Sequence, residues 1–452
     1  MIMMTDTQSI LQRLNLPSEF GVVLLAFCFI LAVAPYFAGS DFGVFKIPAF
    51  EIRMRRRLRV LGPAILVIAI LLHLPLFRTS LAKPIPGRVS RISSPAKALW
   101  QPVPIRVVNN RGETFSLEYT WHDIAWVGSE GWLCGSREEG GGSDQFLGHG
   151  ILLHTVNDGA SWQDITNTVE SDQGTLAKFP NQSWNGVGPI TSIEVYPRKS
   201  ENGTTFVEGW LASWTGIYMT ADAANGTWHR VTPKPSKPPA FAHFQRIAAV
   251  EAFREIYAVG WQGIAHWERG GKWQVQLPTY KYLIVGVSVF GDTQRDVWAV
   301  GRTARDEYGK EYSDSHGTIY HLRWPQNQWQ QVPTGIPLEI AQTFLDIRQI
   351  NYETVIAVGE RGLILRGTAK NNVWVWRRAI SNTPASLNAI ALEGNTVWVV
   401  GDHGVILNSH DDGATWSVIQ NASAVGNFRR IRFFTRSAWI VGDGVVLNQH
   451  KS

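Results

Sequence analysis

Thr396-Val-Trp398-Val-Val-Gly401-Asp-His-Gly404-Val-Ile-Leu407-Asn-Ser409-His-Asp411-Asp-Gly413-Ala-Thr-Trp416 carries each landmark of a unit that recurs from about Trp121 to the C-terminus. An apolar strand ends in glycine, a second apolar strand follows, and a polar turn closes on a late tryptophan. The strand returns as Trp132-Leu-Cys-Gly135, Tyr257-Ala-Val-Gly260, Trp298-Ala-Val-Gly301, Ile356-Ala-Val-Gly359 and Trp439-Ile-Val-Gly442, and as Trp210-Leu-Ala-Ser213 with serine in the glycine's place. Gly260 to Gly301, Gly359 to Gly401 and Gly401 to Gly442 are each separated by about 41 or 42 residues, the period of propeller blades built from four strands. The expected fold is all-β, a seven-bladed β-propeller preceded by two N-terminal transmembrane helices.

Each unit opens with a strand such as Asp346-Ile-Arg-Gln-Ile350 or Asn388-Ala-Ile-Ala-Leu392. A turn rich in Asn, Asp or Gly leads to the glycine-ended strand. The closing glycine is explained by positive φ or by close backbone approach. Gly362-Leu-Ile-Leu365, Gly404-Val-Ile-Leu407 and Gly444-Val-Val-Leu447 supply third strands, and Trp162, Trp228, Trp273, Trp329, Trp376 and Trp416 mark fourth strands. The last unit stops at Ser452 without its late tryptophan. Pro104 to Tyr119, with Ile105-Arg-Val-Val108 and Phe115-Ser-Leu117, is expected to supply the missing strand, closing the ring and covering an edge that would otherwise pair with other chains.

Composition agrees with a β-rich globular body: 452 residues, 44% hydrophobic, with 42 glycines and 20 tryptophans. The net charge of +5 is modest, and much of the excess lies in one arginine run near the N-terminus, so nucleic acid is not an expected partner. Cys28 and Cys134 are too few for a disulfide framework or a zinc site.

Phe20 to Phe37 and Val60 to Phe77 are apolar stretches of about 18 residues, the lower end of what spans a bilayer as a helix. No basic run precedes the first and no small-residue cleavage site follows it, which separates it from a signal peptide. Between them lies Arg53-Met-Arg-Arg-Arg57-Leu-Arg59. Basic residues stay on the cytoplasmic side, so the loop points inward and the propeller outward. The expected organisation is a membrane anchor at 1–79 with helices at about 20–37 and 60–77, a linker at 80–103 rich in Pro, Ser and basic residues, and the propeller at 104–452.

Two of the late-tryptophan turns are nearly identical: Thr155-Val-Asn157-Asp158-Gly159-Ala-Ser-Trp162 and Ser409-His-Asp411-Asp412-Gly413-Ala-Thr-Trp416. Ser/Thr-x-Asp-x-Gly-x-Thr-Trp is the Asp-box, or BNR repeat. The Asp or Asn caps turn amides, the glycine permits a left-handed step, and the tryptophan buries a broad face. Thr155, Asp158, Gly159, Trp162, Ser409, Asp411, Gly413 and Trp416 are therefore structural candidates and not catalytic carboxylates. Thr220 to Trp228 and His266 to Trp273 are degenerate copies. His149 with His154, and His316 with His321, recur at matching positions and are read as repeat structure, not metal ligands. Gly140-Gly-Gly142 lacks the Gly-Lys-Ser/Thr of a phosphate loop.

Asp-boxes combined with Trp-x-Val-Gly-x-x-Gly-x-Ile/Leu repeats resemble the photosystem II stability and assembly-factor family. The resemblance covers about Trp121 to Leu447 and implies a seven-bladed, non-enzymatic propeller that holds membrane-protein intermediates on the lumenal or extracytoplasmic face. It implies no cofactor, no metal and a membrane-associated protein partner, in a bacterial-type inner or thylakoid membrane. This chain departs from the family in its two apolar spans and in insertions at Arg137 to His149 and Arg302 to His316. The enzymatic alternative is an extracytoplasmic sialidase-like glycoside hydrolase, which needs an arginine triad, a tyrosine nucleophile and carboxylates. The Phe-Arg-Ile-Pro signature of sialidases is absent. A third possibility, a sensor with a cytoplasmic propeller, follows if the topology is reversed.

Aligning the opening strands on their central isoleucine puts Asp123, Arg246, Asp346 and Arg430 one position before it, and Glu194, Arg348 and Arg432 one after. These charges either meet a partner at the ring's axis or pair between blades. Arg429, Arg430, Arg432 and Arg436 are the densest basic group of the propeller and the expected partner surface.

Overall fold

Strands of this chain carry apolar residues in near-continuous runs because both faces of each sheet are covered by neighbouring sheets. Trp398, Val399 and Val400 are all buried, as are Trp298, Ala299 and Val300. The computed structural model describes residues 41–42, 45–46 and 100–450, apart from 109–113, 117–118, 138–148, 172–186, 233–242, 251–254, 262, 269–271, 278–281, 292–295, 304–316, 324–327, 337–342, 371–372 and 421–424. The two expected transmembrane helices lie outside the described residues. Among the described residues no helix is long and apolar enough to cross a membrane. Asp41–Phe42 pairs with Phe45–Lys46 as a short hairpin.

The remainder is a seven-bladed propeller. Its inner strands are Thr120–Val127, Ile190–Lys199, Phe244–Val250, Tyr282–Phe290, Phe344–Asn351, Leu387–Glu393 and Phe428–Phe433. Each touches the next, and the last touches the first, so the strands close a ring around one axis. Within a blade the chain steps outward by antiparallel pairing.

Close approach, and not positive φ, explains the repeated glycine. A Cβ on Gly359, Gly401 or Gly442 would collide with the carbonyl oxygen of Thr343, Ser386 or Asn427, the residue just before the inner strand. Gly401 itself is extended, with φ −159°.

Ring closure differs from expectation. The fourth strand of the last blade is Gln101–Pro102, paired with Val445–His450 through Gln101↔Asn448 and Pro102↔Leu447. The Val103 amide donates to Val446 O at 2.8 Å, as Val332 does to Ile319 O and Ile419 to Ile406 O in other blades. Trp100, fully buried against Trp398 and Phe433, supplies the missing late tryptophan. The end of the expected linker is thus blade. Arg106–Val108, expected to close the ring, instead adds to the outer edge of the first blade. It runs parallel to Trp162–Asp164 and carries Thr114–Ser116 outside it, making a six-stranded sheet.

Candidate functional site

The seven charges on the inner strands meet at the axis, and the backbone explains why. Asp123 Oδ1 accepts from the Ile124 amide at 2.9 Å, and its Oδ2 accepts from the Ser192 hydroxyl at 3.0 Å and the Ile193 amide at 3.3 Å. Ser192 and Ile193 belong to the next blade. Asp346 repeats the device, accepting from its own Ile347 amide and from Ile390 of the next blade, both at 2.9 Å. Each aspartate therefore staples two inner strands, and its ionised carboxylate then draws arginines.

Arg432 reaches Asp123 through Nε at 2.9 Å and Nη2 at 2.7 Å, and Glu194 through Nη1 at 3.0 Å. Arg430 Nε donates to Asp123 at 3.2 Å, and its Nη1 lies 3.9 Å from Asp346. Arg246 pairs with Asp346. The network joins the first, second, third, fifth and seventh blades. Burial alone would raise the Asp123 carboxyl, but Arg430 and Arg432 overcome it and hold it well below the usual range. Burial and the neighbouring Arg246 bring Arg430 down to about 10, while Asp123 and Glu194 outweigh the burial of Arg432 and raise it. Asp123, Arg430 and Arg432 therefore keep their charge at neutral pH.

Arg348 stands apart. It is exposed on its inner strand, and among the described residues it makes no hydrogen bond or ion pair. Protein still crowds it near the axis, and desolvation lowers its guanidinium despite the attraction of Asp346. Four arginines thus face three carboxylates (Asp123, Glu194, Asp346), and the surplus cation is the one that meets solvent.

The four arginines expected as one surface are not brought together. Arg430 and Arg432 share a strand face and are held inside the network. Arg429 points the other way and pairs with Asp443 at the glycine end of the blade. Arg436 lies beyond the strand's far end, in a groove of about 780 Å³ lined also by Trp126, Asp158, Phe434 and Trp439.

The Asp-boxes behave as turns. Ser409 Oγ donates to Asp411 Oδ1 at 2.8 Å and accepts from the Gly413 amide at 2.9 Å. Asp411 accepts from the Thr415 amide at 2.9 Å and hydroxyl at 2.6 Å, and these bonds draw its carboxyl down to about 2. In the first blade Asn157 replaces the aspartate and accepts from Ser161 N–H at 3.0 Å and Thr155 Oγ1 at 2.8 Å. Both boxes take two left-handed residues in succession, Asp158 with Gly159 and Asp412 with Gly413. Gly159 packs on Trp439, and Gly413 on Ile356, so each box docks on the preceding blade. Thr220 to Trp228 keeps the same logic, with Asp222 capping the Ala224 and Asn225 amides at 3.1 Å.

Glu255, His266 and Glu268 are the one group among the described residues that brings metal-type ligand atoms within 4.8 Å of one another. The geometry points to structure. His266 Nε2 bonds Glu255 at 3.3 Å, Nδ1 meets Gln276 at 3.1 Å, and the ring stacks on Tyr257. His154 with Glu130 on Trp132, and His321 with Asp296 on Trp298, repeat the arrangement in two other blades, with no third ligand among the described residues. The recurrence of His154 and His321 is therefore a feature of the repeat.

Comparison with known proteins bears on this architecture. A family model described as "Photosynthesis system II assembly factor YCF48" matches residues 323–431. The chain is 21% identical over 323 residues to "Photosystem II stability/assembly factor HCF136, chloroplastic" of Oryza sativa subsp. japonica, covering 65% of this chain and 68% of the relative. Among solved structures, "YCF48 bound to D1 peptide" superposes with a TM-score of 0.52 at 17% identity, covering 80% of this chain and 100% of the other. YCF48 from Cyanidioschyzon merolae gives 0.50 at 17% identity, covering 78% and 99%. The chain is a BNR-type β-propeller that resembles photosystem II assembly factors.

Proposed function

We propose that this protein is a membrane-anchored, non-catalytic scaffold whose propeller binds another protein, with Arg348 as the leading contact at the ring's axis. The observation that carries this reading is the charge imbalance there: six of the seven charges are engaged with one another, and the seventh is a solvent-facing arginine. A guanidinium with no partner among the described residues favours a bidentate carboxylate, so an acidic side chain or a chain terminus is the suited ligand. Arg246, Arg430 and Arg432 already grip the protein's own carboxylates, which disfavours their use as a sialidase clamp on substrate. A solved propeller of similar fold is described as bound to a D1 peptide, which supports a protein ligand for this one. The apolar stretches at 20–37 and 60–77 support an anchor that would concentrate the propeller near membrane clients.

The test is crosslinking and affinity recovery from native membranes with the full chain carrying Arg348→Glu or Arg348→Lys. Charge reversal is expected to remove the specifically crosslinked partner while the thermal midpoint stays within a few degrees. Partner recovery unchanged by Arg348→Glu would discard the axis as the contact.

A further inference from the structure

The outer edge of the fifth blade breaks the pattern of the ring. Its fourth strand, Val373–Arg378, is six residues long and is paired throughout with the third, from Leu365↔Arg378 to Lys370↔Val373. Fourth strands elsewhere run two to four residues, as at His229–Arg230, Gln330–Gln331 and Ser417–Val418. Where the first and sixth blades turn through an Asp-box, the fifth extends its hairpin ladder. Among the described residues the outer strand is the last in its sheet.

Backbone direction follows from one bond. The Ala379 amide donates to Ile364 O at 3.0 Å. In an antiparallel ladder the amides alternate sides, so those of Val373, Val375 and Arg377 turn inward and those of Trp374, Trp376 and Arg378 turn to the free edge. Val373 and Val375 expose 63% and 47% of their surface beside that edge. Charge is lopsided as well. Arg366 stands directly opposite Arg377, Arg378 follows on the other face, and Lys370 lies at the far end of the ladder, opposite Val373. Among the described residues none of these four makes an ion pair with a carboxylate; the Arg366 Nε bonds the Asp412 carbonyl at 2.7 Å. Like charges directly across a ladder are destabilising. The molecule itself shows what such an edge accepts, since the first blade's fourth strand is extended by Arg106–Val108.

We infer that the outer edge of the fifth blade is a strand-addition site for an extended acidic segment of a partner protein. Backbone pairing to residues 374, 376 and 378 supplies affinity, and carboxylates on the face of Arg377, with Arg366 behind it, supply selectivity. A second copy of this chain is disfavoured because edge-to-edge pairing would bring two strongly cationic strands together. The inference rests on the protein-binding reading above but uses a different surface from Arg348.

The probe is a labelled, terminally blocked peptide of alternating Glu and Val, with a Lys–Val peptide as its counterpart, titrated into the full chain in detergent. The Glu–Val peptide is expected to bind and the Lys–Val peptide not to. Arg377→Glu with Arg378→Glu should weaken binding roughly tenfold or more. Arg378→Pro removes one outward amide at an edge that tolerates proline and should weaken it comparably. On an Arg348→Ala background, which removes the axis as a competing site for carboxylates, the edge variants should cause the same loss. Absence of Glu–Val binding, equal binding by the edge variants, or a dimer formed through this strand would each overturn the site. Sensitivity to Arg348→Ala alone would instead assign the peptide to the axis.

Discussion

Asp123 is the aspartate on which most of the interior polarity converges. It accepts bonds from two blades' backbones and from two arginines of a third. Deleting one partner of a buried ion pair leaves charge uncompensated, which costs about 3–5 kcal/mol. Asp123→Asn keeps the shape but strips the charge that Arg430 and Arg432 share. Its unfolding free energy from urea titration should fall by that amount with unchanged slope, and a fall of under about 1 kcal/mol would mean the arginines find other anions. The paired role was half legible beforehand. Alignment on the central isoleucine finds the charged positions, yet alignment says nothing of which arginine reaches which carboxylate. Arg430 and Asp123 are 307 residues apart.

At the level of the strand, Trp100 decides how the ring closes. Trp100-Gln-Pro-Val103 parallels Trp329-Gln-Gln-Val332, and its position so far from the last blade hid a signal present in the residues themselves. Ile105-Arg-Val-Val108 reads as a better strand by β-propensity, but closure required a tryptophan at the blade junction ahead of a short strand. Burying Trp100 completely makes Trp100→Ala worth about 3–5 kcal/mol. A chain starting at Ala96, where the compact C-terminal unit begins, should melt as a stable ring. One starting at Pro104 should melt lower and aggregate, because the edge of Val445–His450 is then uncovered. Equal melting temperatures for the two would refute closure by Gln101–Pro102.

For the molecule entire, the proposed anchor sets the propeller on one side of a membrane. The arginine-rich loop between the apolar stretches supports an outward-facing ring. A Cys28→Ser, Ser452→Cys variant in intact cells should react with a membrane-impermeant maleimide, given that the remaining native thiol, Cys134, is buried. Protection until lysis would reverse the orientation and make the cytoplasmic sensor the better reading.

Period, blade composition, the Asp-box turns and the positions of the axial charges follow from sequence, because each depends on residues close together in the chain and repeated. The partner of each charge, the strand that closes the ring and the exposed edge of the fifth blade were decided only by tertiary structure. Closing a ring brings together side chains from opposite ends of the chain, and no local pattern encodes which of several similar strands or arginines arrives first at a given edge or carboxylate.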